Sequence, residues 1–121
     1  MSPTLVFRQD NKSTGLGEFF MALGGSGGPK IITAVLQTFL NYANDMSLFD
    51  AMTHPRLHDQ LLYHESLVTL YEKMYVQENF TIEVSDEIKE GLKARGHKIH
   101  SLGMCWRVSC HLFILMRPEQ G

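Results

Sequence analysis

The sequence predicts an α+β fold in which helices pack on a mainly antiparallel sheet. Three observations lead to this prediction: short runs of β-branched and aromatic residues, an amphipathic segment after a glycine-rich turn, and the order of these elements. The predicted order is strand, strand, helix, helix, strand, helix, strand. With 121 residues, of which 44% are hydrophobic and 20% charged, the chain has the size and composition of one globular domain.

The first two strands are predicted from residue type and spacing. Residues 4–8 and 18–23 are rich in β-branched and aromatic side chains, and a polar stretch at 9–13 lies between them. This short spacing favours an antiparallel hairpin. The second strand leads into Gly24–Gly28. Pro29 then suits the first position of a helix, because its missing N–H would have no partner there in any case.

Two helices are predicted next. Apolar residues recur at steps of three and four, which predicts a helix that faces the core and ends within 41–45. These residues are Ile32, Val35, Leu36, Phe39, Leu40 and Ala43. Ser47 and Asp50 have the spacing of a capping box and predict a short helix that Pro55 ends. Residues 56–63 are expected to form an ordered but irregular connector.

The remaining elements are one helix and two strands. Residues 67–71 predict a strand, and Ser85 is an N-cap candidate for a helix that ends at Gly96. Residues 97–100 predict a returning strand. Beyond Ser101 the hydrophobic pattern has no clean period, so this segment is either a strand or a poorly ordered tail.

Composition and charge exclude several classes of function. The formal net charge is −2, and basic residues do not cluster, so nucleic acid is not an expected partner. The longest apolar runs, such as 31–35 and 112–116, are far shorter than the roughly 18 residues needed to span a bilayer. The N-terminal residues lack the features of a secretory signal. Two cysteines are too few for a disulfide framework.

Candidate metal ligands and carboxylates are present without a functional spacing. The histidines and cysteines match no standard zinc pattern, so we expect no metal; they are His54, His58, His64, His97, His100, Cys105 and Cys110. The acids are predicted to be scattered on exposed faces, which does not support a carboxylate-dyad hydrolase; they are Glu65, Glu72, Asp86 and Glu87. Arg56 and Asp59 are expected to anchor the connector by charge-assisted hydrogen bonds.

The glycine-rich segment Gly24–Gly28 is the densest signal for function. Glycine can adopt positive φ and lets a ligand approach the main chain, and the start of a helix offers unpaired N–H groups to an anion. Both familiar phosphate-binding fingerprints fail. After Gly24 the Walker pattern requires Gly-Lys-Ser/Thr, but the chain has Pro29, Lys30 and Ile31. Counted from Gly25, the last glycine of the dinucleotide-binding pattern falls on Lys30. Two interpretations therefore stay open: a tight strand-to-helix turn, or an anion or oxyanion site.

Three separated motifs carry a resemblance to a known family. They are Gly-Gly-Pro-Lys-Ile-Ile-Thr-Ala-Val-Leu-Gln at 27–37, Pro-Arg-Leu-His-Asp-Gln-Leu at 55–61 and Leu-Lys-Ala-Arg-Gly-His-Lys at 92–98. In this order, and together with Met-Ser-Pro-Thr at the start, they resemble the small subunit of gamma-glutamyltranspeptidase, or glutathione hydrolase. The resemblance divides the chain into a partial small-subunit domain at 1–101 and a divergent tail at 102–121.

The resemblance implies part of an N-terminal-nucleophile hydrolase with a four-layer αββα sandwich. It also implies an enzyme in which a new N-terminal threonine attacks a gamma-glutamyl amide such as glutathione, and the acyl group then passes to water or to an amine acceptor. Gly27 and Gly28 would donate their N–H groups to the oxyanion. The implied partners are the gamma-glutamyl substrate and the large subunit of the same precursor, and no cofactor is implied. The family suggests a secretory or cell-surface location, for which the sequons at Asn11 and Asn79 are weak support.

The departures from the family predict an inactive fragment. The nucleophilic threonine lies in a Thr-Thr-His motif expected upstream of the segment that matches Met1, and two substrate-contacting serines are expected just before it. Thr53 lacks a preceding threonine and is predicted to be a helix-end residue, so no catalytic nucleophile is assigned in this chain. The differences at both ends suggest a truncated or mis-spliced gene model. The alternative function is a non-catalytic module that pairs with a large subunit or binds small anions at the glycine-rich loop.

Overall fold

The computed structural model describes residues 3–9, 15, 17–59, 68–77, 80–102 and 112–116. Within these ranges the fold is α+β, as predicted. The elements in chain order are β1 (Thr4–Arg8), β2 (Glu18–Gly25), α1 (Lys30–Ala43), α2 (Leu48–Thr53), β3 (Leu57–Asp59), β4 (Thr69–Gln77), β5 (Phe80–Glu83), α3 (Asp86–Ala94), β6 (Ile99–Leu102) and β7 (Leu112–Met116).

The first sheet has the strand order β1-β2-β7, and both pairings are antiparallel. The predicted hairpin of β1 and β2 is confirmed. Beyond Ser101 the sequence allowed either a strand or a poorly ordered tail. Residues 112–116 of this segment form a strand, β7. β7 pairs with the end of β2, so that Gly25 lies opposite Leu112.

The second sheet is centred on β4, which pairs antiparallel with β3 and β5 and parallel with β6. The prediction of an irregular connector at 56–63 is wrong for Leu57–Asp59, which forms β3. Three residues are too few to show an alternating pattern, and the extended backbone is instead stabilised by pairing with Thr69–Tyr71. β5 was not predicted at all, although Phe-Thr-Ile-Glu has the residue types of a strand.

The main core lies between α1 and β2. Its buried members are Met21, Leu23, Ile31 and Val35, with Val6, Phe20, Phe39 and Tyr42 packed around them. The predicted core stripe of α1 is wrong at four of its six positions. The exposed fractions are 68% for Ile32, 53% for Leu36 and 46% for Leu40, and Ala43 is exposed as well. The buried residues of the helix are Ile31, Ala34, Val35 and Thr38, so Val35 is the one fully buried member of the predicted stripe.

The helix boundaries follow the predicted local signals. Pro29 is the N-cap of α1, immediately before its first helical residue. Ser47 caps α2 as predicted, because the Asp50 N–H donates to Ser47 Oγ at 3.0 Å. The reciprocal bond is made by the Ser47 hydroxyl, which donates to Asp50 Oδ2 at 2.7 Å, and not by the Ser47 N–H as in a full capping box. Ser85 caps α3 by accepting from the Ile88 N–H. Within the described ranges, no helix has both the length and the apolar content needed to cross a bilayer.

Candidate functional site

The candidate site is the turn between β2 and α1. The strand extends further than the sequence suggests, since Gly24 and Gly25 belong to β2 and pair with β7. The turn is therefore limited to residues 26–29. Of the glycines in this segment, Gly27 and Gly28 are the two that occupy the turn.

Both turn glycines have backbone conformations that other residues rarely adopt. The φ angle is +141° for Gly27 and +65° for Gly28. A side chain at Gly28 would meet open space, so the glycine there is required by the backbone conformation and not by crowding. The Gly28 carbonyl accepts a hydrogen bond from the Ile31 N–H at 3.2 Å, which starts α1.

The Gly27 and Gly28 N–H groups have no partner among the described residues. Gly28 is exposed and Gly27 is half-buried. The first turn of α1 contains no acidic residue, and no side chain caps it, so the helix itself supplies no carboxylate to the positive end of its dipole. This arrangement suits a small anion or a developing oxyanion.

Two side chains tie α1 to β3. The side-chain amide of Gln37 bonds both backbone groups of Leu57, and Thr33 Oγ1 lies 2.9 Å from His58 Nδ1 in a hydrogen bond. His58 is buried. Thr33 and Gln37 were not predicted as positioning residues. The available signal was their spacing of four positions, which places both side chains on one face of α1.

Arg56 is held by Glu72, and its predicted anchoring role is confirmed. The guanidinium donates to both carboxylate oxygens, with Nη2 2.6 Å from Oε1 and Nε 2.9 Å from Oε2. The Arg56 N–H also donates to Oε2 at 2.9 Å. The prediction of an exposed Glu72 is wrong, because its side chain is only 17% exposed. The ion pair fixes the connector that leads into β3 on the side of β4.

Asp59 anchors the other end of β3, which also confirms its predicted role. Its Oδ2 accepts a hydrogen bond from the Thr69 hydroxyl at 2.6 Å and one from His97 Nδ1 at 2.9 Å. Thr69, His97 and Asp59 thus form a hydrogen-bonded cluster of the residue types found in catalytic triads. However, Thr69 is only 4% exposed and its hydroxyl proton is donated to the carboxylate. This cluster therefore links β3, β4 and the start of β6 and offers no accessible nucleophile.

The other candidate residues are not brought together. Thr53 is the last residue of α2, as predicted, and its hydroxyl donates to the Phe49 carbonyl at 2.9 Å. In the part of the chain that the structure describes, no three His, Cys, Asp or Glu side chains are arranged to hold a metal ion. Several residues discussed above lie outside the described ranges, namely Met1, Asn11, His64, Glu65, Asn79, Cys105 and Cys110.

Comparison with known proteins assigns the chain to a family. A sequence model of the family described as Gamma-glutamyltranspeptidase matches residues 1–108. The chain belongs to the gamma-glutamyltranspeptidase family. This is an enzyme family of glutathione hydrolases, so the resemblance stated above is confirmed.

Curated relatives agree with this assignment. The chain is 39% identical over 87 residues to glutathione hydrolase 3 of Arabidopsis thaliana, a match that covers 71% of this chain and 13% of the relative. It is 41% identical over 69 residues to glutathione hydrolase proenzyme 1 of Schizosaccharomyces pombe, covering 56% of this chain and 10% of the relative. The chain thus spans only a small part of the length of these gamma-glutamyltranspeptidases.

Solved structures of the family share the fold. All of this chain matches 55% of the chain of a Helicobacter pylori gamma-glutamyltranspeptidase T380A mutant, with a TM-score of 0.71 and 25% identity. It also matches 53% of a highly active W525D mutant of the Pseudomonas nitroreducens enzyme, with a TM-score of 0.69 and 24% identity. The chain therefore has part of the N-terminal-nucleophile hydrolase fold that these gamma-glutamyltranspeptidases adopt.

Proposed function

We propose that this chain supplies the oxyanion-binding element of an enzyme that cleaves gamma-glutamyl amides such as glutathione. The observation that carries the proposal is a pair of consecutive positive-φ glycines, Gly27 and Gly28, with unpaired N–H groups among the described residues. They lie at the N-terminus of α1 in a member of the gamma-glutamyltranspeptidase family.

The proposed chemistry is acyl transfer through a threonyl ester. A threonine hydroxyl, which loses its proton to its own α-amine, attacks the gamma-carbonyl carbon, and the carbonyl electron pair moves onto oxygen. The Gly27 and Gly28 N–H groups stabilise this negative charge. The intermediate then expels the amine, which takes up the proton, and leaves an acyl-enzyme that reacts with water or with an amine acceptor.

The nucleophile is proposed to come from a polypeptide outside this chain. Five threonines besides Thr53 lie within described helices or strands, and each has a peptide bond in place of a free α-amine; they are Thr4, Thr33, Thr38, Thr69 and Thr81. Thr53 donates its hydroxyl to the backbone of α2. We therefore expect the isolated chain to be inactive and the remainder of the precursor, including its large subunit, to be the partner. A secretory or cell-surface location goes with this proposal.

The test is a chimera with a full-length relative. The matched stretch of Arabidopsis glutathione hydrolase 3 is replaced by the corresponding residues of this chain, and hydrolysis of a chromogenic gamma-glutamyl anilide is measured. We expect hydrolysis by the chimera and none by the isolated chain. A folded chimera without hydrolysis contradicts the proposal, and turnover by the isolated chain contradicts the external nucleophile.

The alternative of a non-catalytic anion-binding module rests on the same unpaired amides. Titration of glutathione into the labelled chain, with the Gly27 and Gly28 amide resonances followed by NMR, detects binding at the turn directly. Binding by the chain together with an inactive, folded chimera would favour this alternative.

A further inference from the structure

The glycine turn between β2 and α1 has to be held from its two ends. Two consecutive glycines leave the backbone many conformations, and the space where a Gly28 side chain would lie is open, so packing does not fix the turn at that point. Donors stabilise an oxyanion only when their direction is set before the reaction. The direction of the Gly27 and Gly28 N–H groups therefore depends on how β2 and α1 are anchored on either side.

The two anchors lie in different sheets. On the side of β2, Gly25 is paired with Leu112 in the first sheet. On the side of α1, the Thr33 hydroxyl in the first turn of the helix lies 2.9 Å from Nδ1 of His58. His58 is the middle residue of β3, which belongs to the second sheet. The glycine turn thus spans the two sheets, and Thr33 is the attachment point of the helix that follows it.

His58 is a firm point of attachment. It is buried, with an exposed fraction of 5%. On one side of it in β3, the Leu57 backbone is bonded to the Gln37 side chain. On the other side, Asp59 accepts a hydrogen bond from the Thr69 hydroxyl. Because both neighbours of His58 are held, its imidazole occupies a fixed position against α1.

The hydrogen bonds of Thr33 determine where a proton lies on His58. Besides its contact with His58, the Thr33 hydroxyl donates to the Lys30 carbonyl at 3.1 Å. A hydroxyl has a single proton, and a carbonyl can only accept. Both bonds form together only when His58 Nδ1 carries a proton and donates it to Thr33 Oγ1. The result is a relay from His58 through Thr33 to Lys30, the first residue of α1.

We infer that Thr33 and His58 are positioning residues, which hold the first turn of α1 and thereby direct the Gly27 and Gly28 amides toward an oxyanion. Gly28 is joined to this turn of the helix through its carbonyl, which accepts from the Ile31 N–H. Neither Thr33 nor His58 contacts the substrate in this assignment, since both act through the backbone. The inference rests on the proposed function, because only an oxyanion site requires the amides to be directed in advance.

The structural part of the inference is tested in the isolated chain without substrate. Heteronuclear NMR of the histidine rings distinguishes a protonated from an unprotonated ring nitrogen, and we expect His58 Nδ1 to be protonated. We also expect Thr33→Val to shift the Gly27 and Gly28 amide resonances. Thr38→Val, the same substitution further along α1, is the matched control that leaves them in place. An unprotonated His58 Nδ1 overturns the inference, and so do glycine resonances that Thr33→Val does not move.

The kinetic part is tested in the chimera described above. We expect Thr33→Val to lower kcat about tenfold and to keep KM within about twofold of the parent, because misdirected amides weaken binding of the transition state and not of the substrate. Thr33→Ser keeps the hydroxyl and should restore kcat to within about twofold of the parent, as should the Thr38→Val control. Equal kcat values for Thr33→Val and Thr38→Val overturn the inference.

The outcomes separate this inference from the proposed function. A folded parent chimera without hydrolysis counts against the proposed function alone, and the NMR measurements on the isolated chain then decide whether the relay exists. If Thr33→Val does not fold, the ring nitrogens of His58 in the parent chain decide the same question.

Discussion

The side chain of Gln37 forms two hydrogen bonds with the backbone of Leu57. Its Nε2 donates to the Leu57 carbonyl at 2.6 Å, and its Oε1 accepts from the Leu57 N–H at 2.8 Å. One edge of β3 pairs with β4, where Leu57 lies opposite Tyr71. Gln37 supplies the hydrogen-bond partner for Leu57 on the opposite edge of β3. Because Gln37 is on α1, this pair fixes the helix that begins at the glycine turn relative to the second sheet.

Loss of this pair should destabilise the fold. Gln37→Leu removes both bonds and leaves the Leu57 N–H and carbonyl unpaired, which we expect to lower the free energy of unfolding by about 2 kcal/mol. Chemical denaturation of the isolated chain measures this change. Asn44→Ala is the control, because it removes an exposed side-chain bond to the Leu40 carbonyl and should cost about 0.5 kcal/mol or less. Equal losses for the two variants would show that Gln37 has no special role.

The Arg56–Glu72 ion pair should contribute more to the free energy of unfolding than an exposed ion pair does. Arg56→Met leaves the Glu72 carboxylate largely buried without its main partner, so we expect a loss of about 3 kcal/mol in the free energy of unfolding. Lys93→Met is the matched control, since the Lys93–Glu90 side chains are 52% and 69% exposed, and its loss should be about 0.5 kcal/mol. A small loss for Arg56→Met in the same denaturation experiment would contradict the anchoring role.

Thr38 offers a stabilising substitution. It is fully buried, and its Oγ1 has no hydrogen-bond partner in the described part of the chain. Thr38→Val replaces the hydroxyl with a methyl group of similar shape and should raise the free energy of unfolding by about 1 kcal/mol. Thr33→Val is the control, and it should lower the free energy of unfolding because the Thr33 hydroxyl is hydrogen-bonded to His58. A fall in the unfolding midpoint for Thr38→Val would refute this prediction.

The charge cluster around Lys89 should make the fold sensitive to acid. The hydrogen bond from Lys89 holds the pKa of Glu83 below its usual value of 4.5, opposed by some desolvation, and the same lysine lowers the pKa of Asp86. A carboxyl group with a lowered pKa stabilises the fold above its unfolded pKa, and this contribution is lost as the pH falls through the folded pKa. The hydrogen bonds that Lys89 donates to Asp86 and Glu83 raise the pKa of Lys89, so its contribution persists at neutral pH and is lost only in strong alkali.

The corresponding variant is Lys89→Met. Its free energy of unfolding should be lower than that of the parent near neutral pH. The difference should shrink as the pH falls from 4.5 through the lowered pKa values of Glu83 and Asp86 in the folded parent, because protonation of these carboxyl groups removes their attraction to Lys89. Denaturation curves across the acid range measure the difference, with Lys93→Met as the control for loss of an exposed lysine. A difference that does not depend on pH would contradict the assigned cause of the lowered Glu83 pKa.

The sequence predicts the elements that have local signals. Ser47 and Ser85 cap α2 and α3 by accepting hydrogen bonds from N–H groups three positions further on, and Pro29 precedes α1 through the backbone conformation that its ring fixes. Such contacts depend on short-range geometry, so spacing in the sequence is enough to find them. The glycine turn is predicted for the same reason, since positive φ at Gly27 and Gly28 is a property of single residues.

The parts that the sequence does not predict depend on distant partners. β3 is extended because Tyr71 and Gln37 pair with Leu57 on either side. Asp59 meets His97 across a separation of 38 positions. Which face of α1 is buried also depends on contact with β2, and the large side chains of Ile32, Leu36 and Leu40 are exposed although their spacing favours burial.

The central claim is that the Gly27 and Gly28 amides stabilise an oxyanion. The most direct measurement is kcat for a gamma-glutamyl anilide in the active chimera with Gly27→Ala, compared with Gly24→Ala, where an added methyl group meets open space within β2. Alanine cannot hold the φ of +141° without strain, so the turn should rotate and kcat should fall by about 10²- to 10³-fold, as for loss of an oxyanion donor, while Gly24→Ala keeps the parental kcat. Equal kcat values for the two variants would contradict the account.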